Sequence, residues 1–167
     1  TAYEIPKRDW SSDVCSSDLL VGLLAAAEPL GSLAGGALIA AGFLRMDRRL
    51  AFAGGASFFM VTLIAMALSP SYWLAFAVLV LGGFGTAGFG NMQTTLMLTE
   101  APADMRSRLM GIVTVCIGTG PLGVIAAGLL SDRIGPREAV LVMATLGLAA
   151  TVALALLLRG RSTRLTP

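Results

Sequence analysis

The chain has 167 residues, 56% of them hydrophobic and 13% charged, with 12 Lys plus Arg against 10 Asp plus Glu, and a mean hydropathy of +0.81. A soluble domain carries roughly a quarter charged residues, and no water-facing fold can hide this much apolar side chain. The composition therefore excludes a water-soluble protein, a net charge of only +2 excludes a nucleic-acid footprint, and the lack of His with only two Cys leaves no zinc cluster, no disulfide framework and no expected cofactor or metal.

Residues 1–19 are polar, mixed in charge and unlike the rest of the chain. They lack the order of a secretory signal, which places basic residues before an apolar run and a small-residue cleavage site after it. Asp9 to Leu19, DWSSDVCSSDL, and Thr1 to Ile5 both resemble the translation of a common sequencing-library adapter. The segment is thus expected to be a non-native, disordered leader, with a natural polar leader as the alternative. On the first reading Cys15 carries no meaning, the native protein begins inside a longer gene, and the remaining ten Arg and six acids leave a basic part without Lys.

A bilayer core about 30 Å thick needs about 20 apolar residues in a helix. Five segments qualify: 20–43, 50–68, 72–98, 109–130 and 139–158, followed by a tail over 159–167. Helices are the only reading, since open strands would leave backbone groups unpaired in lipid. The fold class is all-α, with antiparallel neighbours joined by short loops. Arg45, Arg48, Arg49, Arg106, Arg108, Arg159, Arg161 and Arg164 fall on one side of the membrane, Arg133 and Arg137 on the other. By the positive-inside rule the Arg-rich side and the tail are cytoplasmic, and Tyr72 and Trp73 mark the outer boundary.

Glu28, in the first span, is the only ionisable residue inside any of the five, and Pro29 follows it directly. A charged group near the bilayer centre costs on the order of 2.5–3.5 kcal/mol, so it faces a cavity, pairs or takes up a proton. One reading is a proton-carrying residue lining a central pathway, with Pro29 freeing a backbone carbonyl beside it. The other is a protonated Glu bonded to a neighbouring helix or displaced towards the interface. Gly31 and Gly35 form a G-x-x-x-G pair for close helix packing.

Gly83, Gly85 and Gly88 spell the dinucleotide fingerprint G-x-G-x-x-G, but that motif needs a strand before it and a βαβ unit around it. Inside an uncharged span it reads as helix packing. Asn91, Gln93 and Thr94, with Thr95, put polar groups in the inner part of the third span, and either substrate contact or interhelical bonding accounts for them. Gly118-Thr119-Gly120-Pro121 interrupts the fourth span. Pro121 favours a kink there; a bent helix at mid-membrane points to the binding region of a transport protein, and Pro kinks occur in inert bundles as well. Cys116 reads as a small packing residue.

Gly128 to Arg137 resembles the G-x-x-x-D-R-x-G-x-R signature of major facilitator superfamily transporters, on Asp132, Arg133 and Arg137. Pro102 to Gly111 resembles the loop before the penultimate helix in the exporter branch, on Arg106 and Arg108. The likeness is to bacterial exporters of the transmembrane secretion effector type and covers residues 20–158, as the eighth to twelfth helices of a twelve-helix protein. It implies that Arg45, Asp47, Arg48 and Arg49 occupy a cytoplasmic loop that latches neighbouring helices.

The resemblance further implies a multi-pass protein of the bacterial plasma membrane. It would be a secondary active transporter coupling proton movement to efflux of small amphipathic molecules by alternating access. Its partners are membrane lipid, a small-molecule substrate, the proton and the missing N-terminal half, without which the fragment is inactive. No enzyme is expected, since no paired intramembrane acids exist for catalysis. The rival reading is a non-transporting membrane subunit whose polar groups serve only assembly.

Overall fold

The computed structural model describes residues 10–42 and 47–162. These form six α-helices: α1 (Trp10–Ala40), α2 (Arg48–Leu68), α3 (Tyr72–Glu100), α4 (Arg106–Gly118), α5 (Gly120–Ile134) and α6 (Pro136–Ser162). Among the described residues there is no strand. Five stretches are long and apolar enough to cross a bilayer, Asp18–Ala40, Leu50–Leu68, Tyr72–Glu100, Arg106–Ile134 and Pro136–Leu157. The expected all-α, five-span architecture is thus present, with α4 and α5 as two halves of one span.

Boundaries depart from expectation where local chemistry favours helix. α1 begins at Trp10, inside the segment expected to be a disordered leader. No Pro or Gly separates Trp10 from Leu20, and lengthening an existing helix avoids the cost of nucleation. The end of the expected first span at Phe43, the loop residue Arg45, Arg164 in the tail and residues 1–9 lie outside the described residues.

α2 starts at an aspartate cap. The Asp47 carbonyl accepts from the Ala51 amide at 2.8 Å and its carboxylate accepts from the Leu50 amide at 3.5 Å, the pattern of an N-cap. Ser71 caps α3 likewise, its hydroxyl accepting from the Leu74 amide at 3.4 Å. At the far end Arg106 donates from Nε to the Ala101 carbonyl at 3.1 Å, closing the C-terminus of α3.

The order of contact around the bundle is α1–α3–α2–α6–α5. α1 and α2 lie on two sides of α3 and do not touch each other, and α4 meets only its chain neighbours. The buried residues are small: Ala27, Ala51, Ala67, Ala87, Ala139, Ala144 and Thr62 among them, whereas large apolar side chains such as Leu33 (74% exposed) and Val124 (72% exposed) point outward. This inverts the soluble pattern. With lipid as solvent, burying Leu brings little, and association comes from backbones approaching over small residues.

The glycines of α3 show how. A Cβ on Gly83 would run into the Glu28 carbonyl and the Ser32 amide of α1, and one on Gly31 into the Val80 carbonyl of α3. On another face, a Cβ on Gly85 would stand 2.6 Å from the Gly55 carbonyl of α2, and one on Gly55 2.6 Å from the Gly85 carbonyl. The apparent dinucleotide fingerprint is therefore split between two helix crossings. Phe52 stacks on Phe89 below the second, ring centroids 4.9 Å apart. Gly147 of α6 receives Met60 of α2, whose sulfur would lie 3.0 Å from an added Cβ.

Candidate functional site

Glu28 is half-buried on α1, one turn before the Gly31 crossing, and the helix runs through Pro29 without a break. Because Pro has no N–H, the carbonyl four residues earlier loses its usual donor. The closeness of α1 to α3 holds the Glu28 backbone against Gly83. Eight residues separate Glu28 from Leu20, so at 1.5 Å per residue it lies about 12 Å along the span, near the middle of a 30 Å core.

The polar end of α3 is elsewhere. Asn91 lies beside α1, its Nδ2 3.8 Å from a Cβ position on Gly36. Tyr72 is level with Leu20 through a hydrogen bond spanning 52 residues. On that register Glu28 stands at the level of Val80, and Asn91 is about 16 Å further down the helix axis. The structure therefore does not bring Glu28 together with Asn91, Gln93 and Thr94.

The threonine hydroxyls there turn back on their own helix. Thr94 donates to the Gly90 carbonyl at 3.5 Å, Thr95 to that of Asn91 at 2.8 Å and Thr99 to that of Thr95 at 2.8 Å. This satisfies each donor in lipid without a second helix, so neither hydroxyl of Thr94 or Thr95 makes the interhelical bond that was one of the two expectations. Gln93 is half-buried and Asn91 exposed.

The fourth span breaks at Thr119, the residue between α4 and α5. Pro121 sits in the first turn of α5, where its missing N–H is least costly. Thr119 closes α4: its amide donates to the carbonyls of Val115 at 3.2 Å and Cys116 at 3.3 Å, and its hydroxyl donates to the Cys116 carbonyl at 2.6 Å. Gly120 and Pro121 are exposed, and α5, which they open, makes no contact with α1 or α3. Cys116 is exposed as well.

The signature turn after α5 is shaped by backbone rather than by ion pairs. Asp132, Arg133, Arg137 and Glu138 are all exposed. Gly135 has φ 95 and ψ 153, its amide donates to the Ser131 carbonyl, and Pro136 opens α6. In the other loops Asp47 caps α2 and Arg106 caps α3, while Arg48 and Arg108 are exposed; Arg49 lies in the first turn of α2.

Sequence reasoning missed an apolar crevice of about 280 Å³ between α1 and α2, floored by α3. Ile39, Gly54, Gly55, Phe58, Gly88 and Met92 are among its walls, and no lining side chain is polar. It exists because α1 and α2 each pack on α3 and not on one another. The adjacent Gly54 and Gly55, in a helix otherwise rich in Phe and Met, were the available signal.

Spans of membrane length, small-residue crossings and a half-buried carboxylate beside a proline define an all-helical integral membrane protein. Compared with models of known families, the chain matches the Major Facilitator Superfamily over residues 5–167. It belongs to that superfamily, as part of its fold. No curated protein and no solved structure matches it.

Proposed function

We propose that the chain is part of a proton-coupled exporter of small amphipathic molecules that works by alternating access, with Glu28 carrying the proton. The observation that carries this reading is membership of the Major Facilitator Superfamily over residues 5–167. Glu28 supports it, being half-buried at mid-span where an ionisable group is costly without a role. Asn91, Gln93 and Thr94 are the groups proposed to meet the substrate towards the cytoplasmic end, and the break at Gly120 and Pro121 is the proposed bending point.

In this reading the spans are the eighth to twelfth helices, in the bacterial plasma membrane with the C-terminus cytoplasmic, and the fragment transports nothing alone. α4 and α5 bury none of their residues, which supports their being covered by the missing half. Residues 1–19 are proposed to derive from a sequencing adapter, on the resemblance of Thr1 to Ile5 and Asp9 to Leu19 to an adapter's translation and the change of composition at Leu20.

The test is flux in proteoliposomes carrying the fragment assembled with its missing half. A pH gradient is expected to drive efflux of an amphipathic dye, Glu28→Gln is expected to lose the gradient-driven part, and the fragment by itself is expected to give none. Gradient-driven flux that survives Glu28→Gln overturns the proton role, and flux from the fragment alone overturns the fragment reading.

A further inference from the structure

We infer that the crevice between α1 and α2 holds one acyl chain of an anionic phospholipid whose headgroup pairs with Arg48. A void of about 280 Å³ has the room of about nine liquid-water molecules, but an apolar cavity stays dry. The crevice opens on the molecular surface, with Phe58 45% exposed and Gly54 exposed. In a bilayer the medium that enters such an opening is lipid tail.

Two observations set this lipid apart from its neighbours. Arg48 begins α2 at the end of the crevice where Ala51 and Ile39 form its walls. Ala51 lies three residues and Gly55 seven residues from Arg48, on the same helical face. Arg48 is exposed and forms no ion pair among the described residues. A guanidinium there suits a phosphate through paired N–H donors, and basic groups between transmembrane helices are established determinants of headgroup binding.

The second observation is which side of α3 the crevice uses. Phe84, Gly88 and Met92 repeat every four residues and line it, whereas Thr86 and Gly90 each stand about 200° around the helix from Phe84 and Gly88; Asn91 and Thr95 fall on the crevice side of α3 but are not among its walls. The side chains that line the crevice offer nothing to hydrogen-bond, which suits an acyl chain.

The experiment uses the full chain in nanodiscs containing phosphatidylglycerol or phosphatidylcholine with the same photoactivatable acyl chain, and reads cross-linked peptides by mass spectrometry. Cross-links are expected on Phe58 and Met92, with phosphatidylglycerol favoured about fivefold, the preference one Arg near the surface gives. Arg48→Gln, an exposed substitution, is expected to erase the preference while keeping the cross-links. Gly54→Leu adds a side chain at the crevice wall, where a Cβ meets nothing within 4 Å, and is expected to suppress cross-linking of both lipids. Gly22→Leu, equally open but away from the crevice, is expected to change neither.

Circular dichroism of each variant verifies that the helices persist. Three results each overturn the inference: equal labelling by the two lipids, a preference untouched by Arg48→Gln, or cross-links at Phe58 and Met92 that survive Gly54→Leu in a folded protein.

Discussion

The Tyr72 hydroxyl donates a hydrogen bond of 2.7 Å to the Leu20 carbonyl across 52 residues of chain, and the same separation pairs Gly31 with Gly83 and Gly35 with Ala87 at van der Waals range or closer. α1 and α3 are therefore parallel and in one register from the Tyr72 end to the Ala87 level. The bond pins one end of the pair, and the glycines bring the backbones together below it. Tyr72→Phe keeps the ring and removes only the bond. It is expected to lower stability by about 0.5–1 kcal/mol, the usual worth of one such bond in a membrane protein, measured by unfolding in mixed detergent micelles.

The glycines divide into those against which another backbone lies and those facing open space. Gly83→Ala places a methyl on the Glu28 carbonyl, where overpacking is expected to cost at least about 1–3 kcal/mol. Gly90→Ala, on the same helix with nothing within 4 Å of its Cβ position, is expected to be neutral or to stabilise by up to about 1 kcal/mol through helix propensity. The two unfolding midpoints should move in opposite directions or differ clearly; equal shifts would show that α1 and α3 do not meet at this crossing.

Pro121 removes an N–H from the fourth span just after Thr119, where the helix changes from α4 to α5. Pro121→Ala adds a backbone N–H in α-helical register with the Ile117 carbonyl, which now accepts only from the cap of α4. Amide exchange at residues 119–123 is expected to slow by about tenfold or more, because an added ladder bond makes local opening less favourable. Unchanged exchange would assign the break to the flanking Gly118 and Gly120 instead.

Gly135 joins α5 to α6 with φ 95 and ψ 153, a region open essentially to glycine alone. An added Cβ would also come 2.7 Å from Oε2 of Glu138. Gly135→Ala is expected to destabilise by about 1–3 kcal/mol, and Gly135→Ala combined with Glu138→Ala to recover only the share due to the carboxylate. Thermal unfolding of the single and double variants separates backbone strain from side-chain collision.

Much of this molecule is legible from its residues because hydropathy acts locally. The five spans, the packing use of Gly31, Gly35, Gly83 and Gly85, and the interruption near Pro121 each depend on the residues of one helix or on what a missing side chain permits. The start of α1 was less legible: Trp10 to Leu19 is polar, yet it continues a helix already nucleated by the apolar run after it. Glu28 and Asn91 look like members of one pathway in sequence, and only the register of α1 against α3 separates them by about 16 Å along the axis. The turn from Asp132 to Arg137 looks like a charged motif, and the structure rests it on the backbone of Gly135.

By itself the sequence determined that the chain is helical and lives in lipid, because each backbone N–H and C=O in the hydrocarbon must be paired within its own segment and about 20 apolar residues suffice to do so. Tertiary structure alone decided which helices meet. α1 packs on α3 rather than on its neighbour α2, and the crevice beneath Arg48 follows from that choice. The physical reason is that helices in lipid select partners by the fit of small-residue faces, a property of two surfaces together that neither segment carries alone.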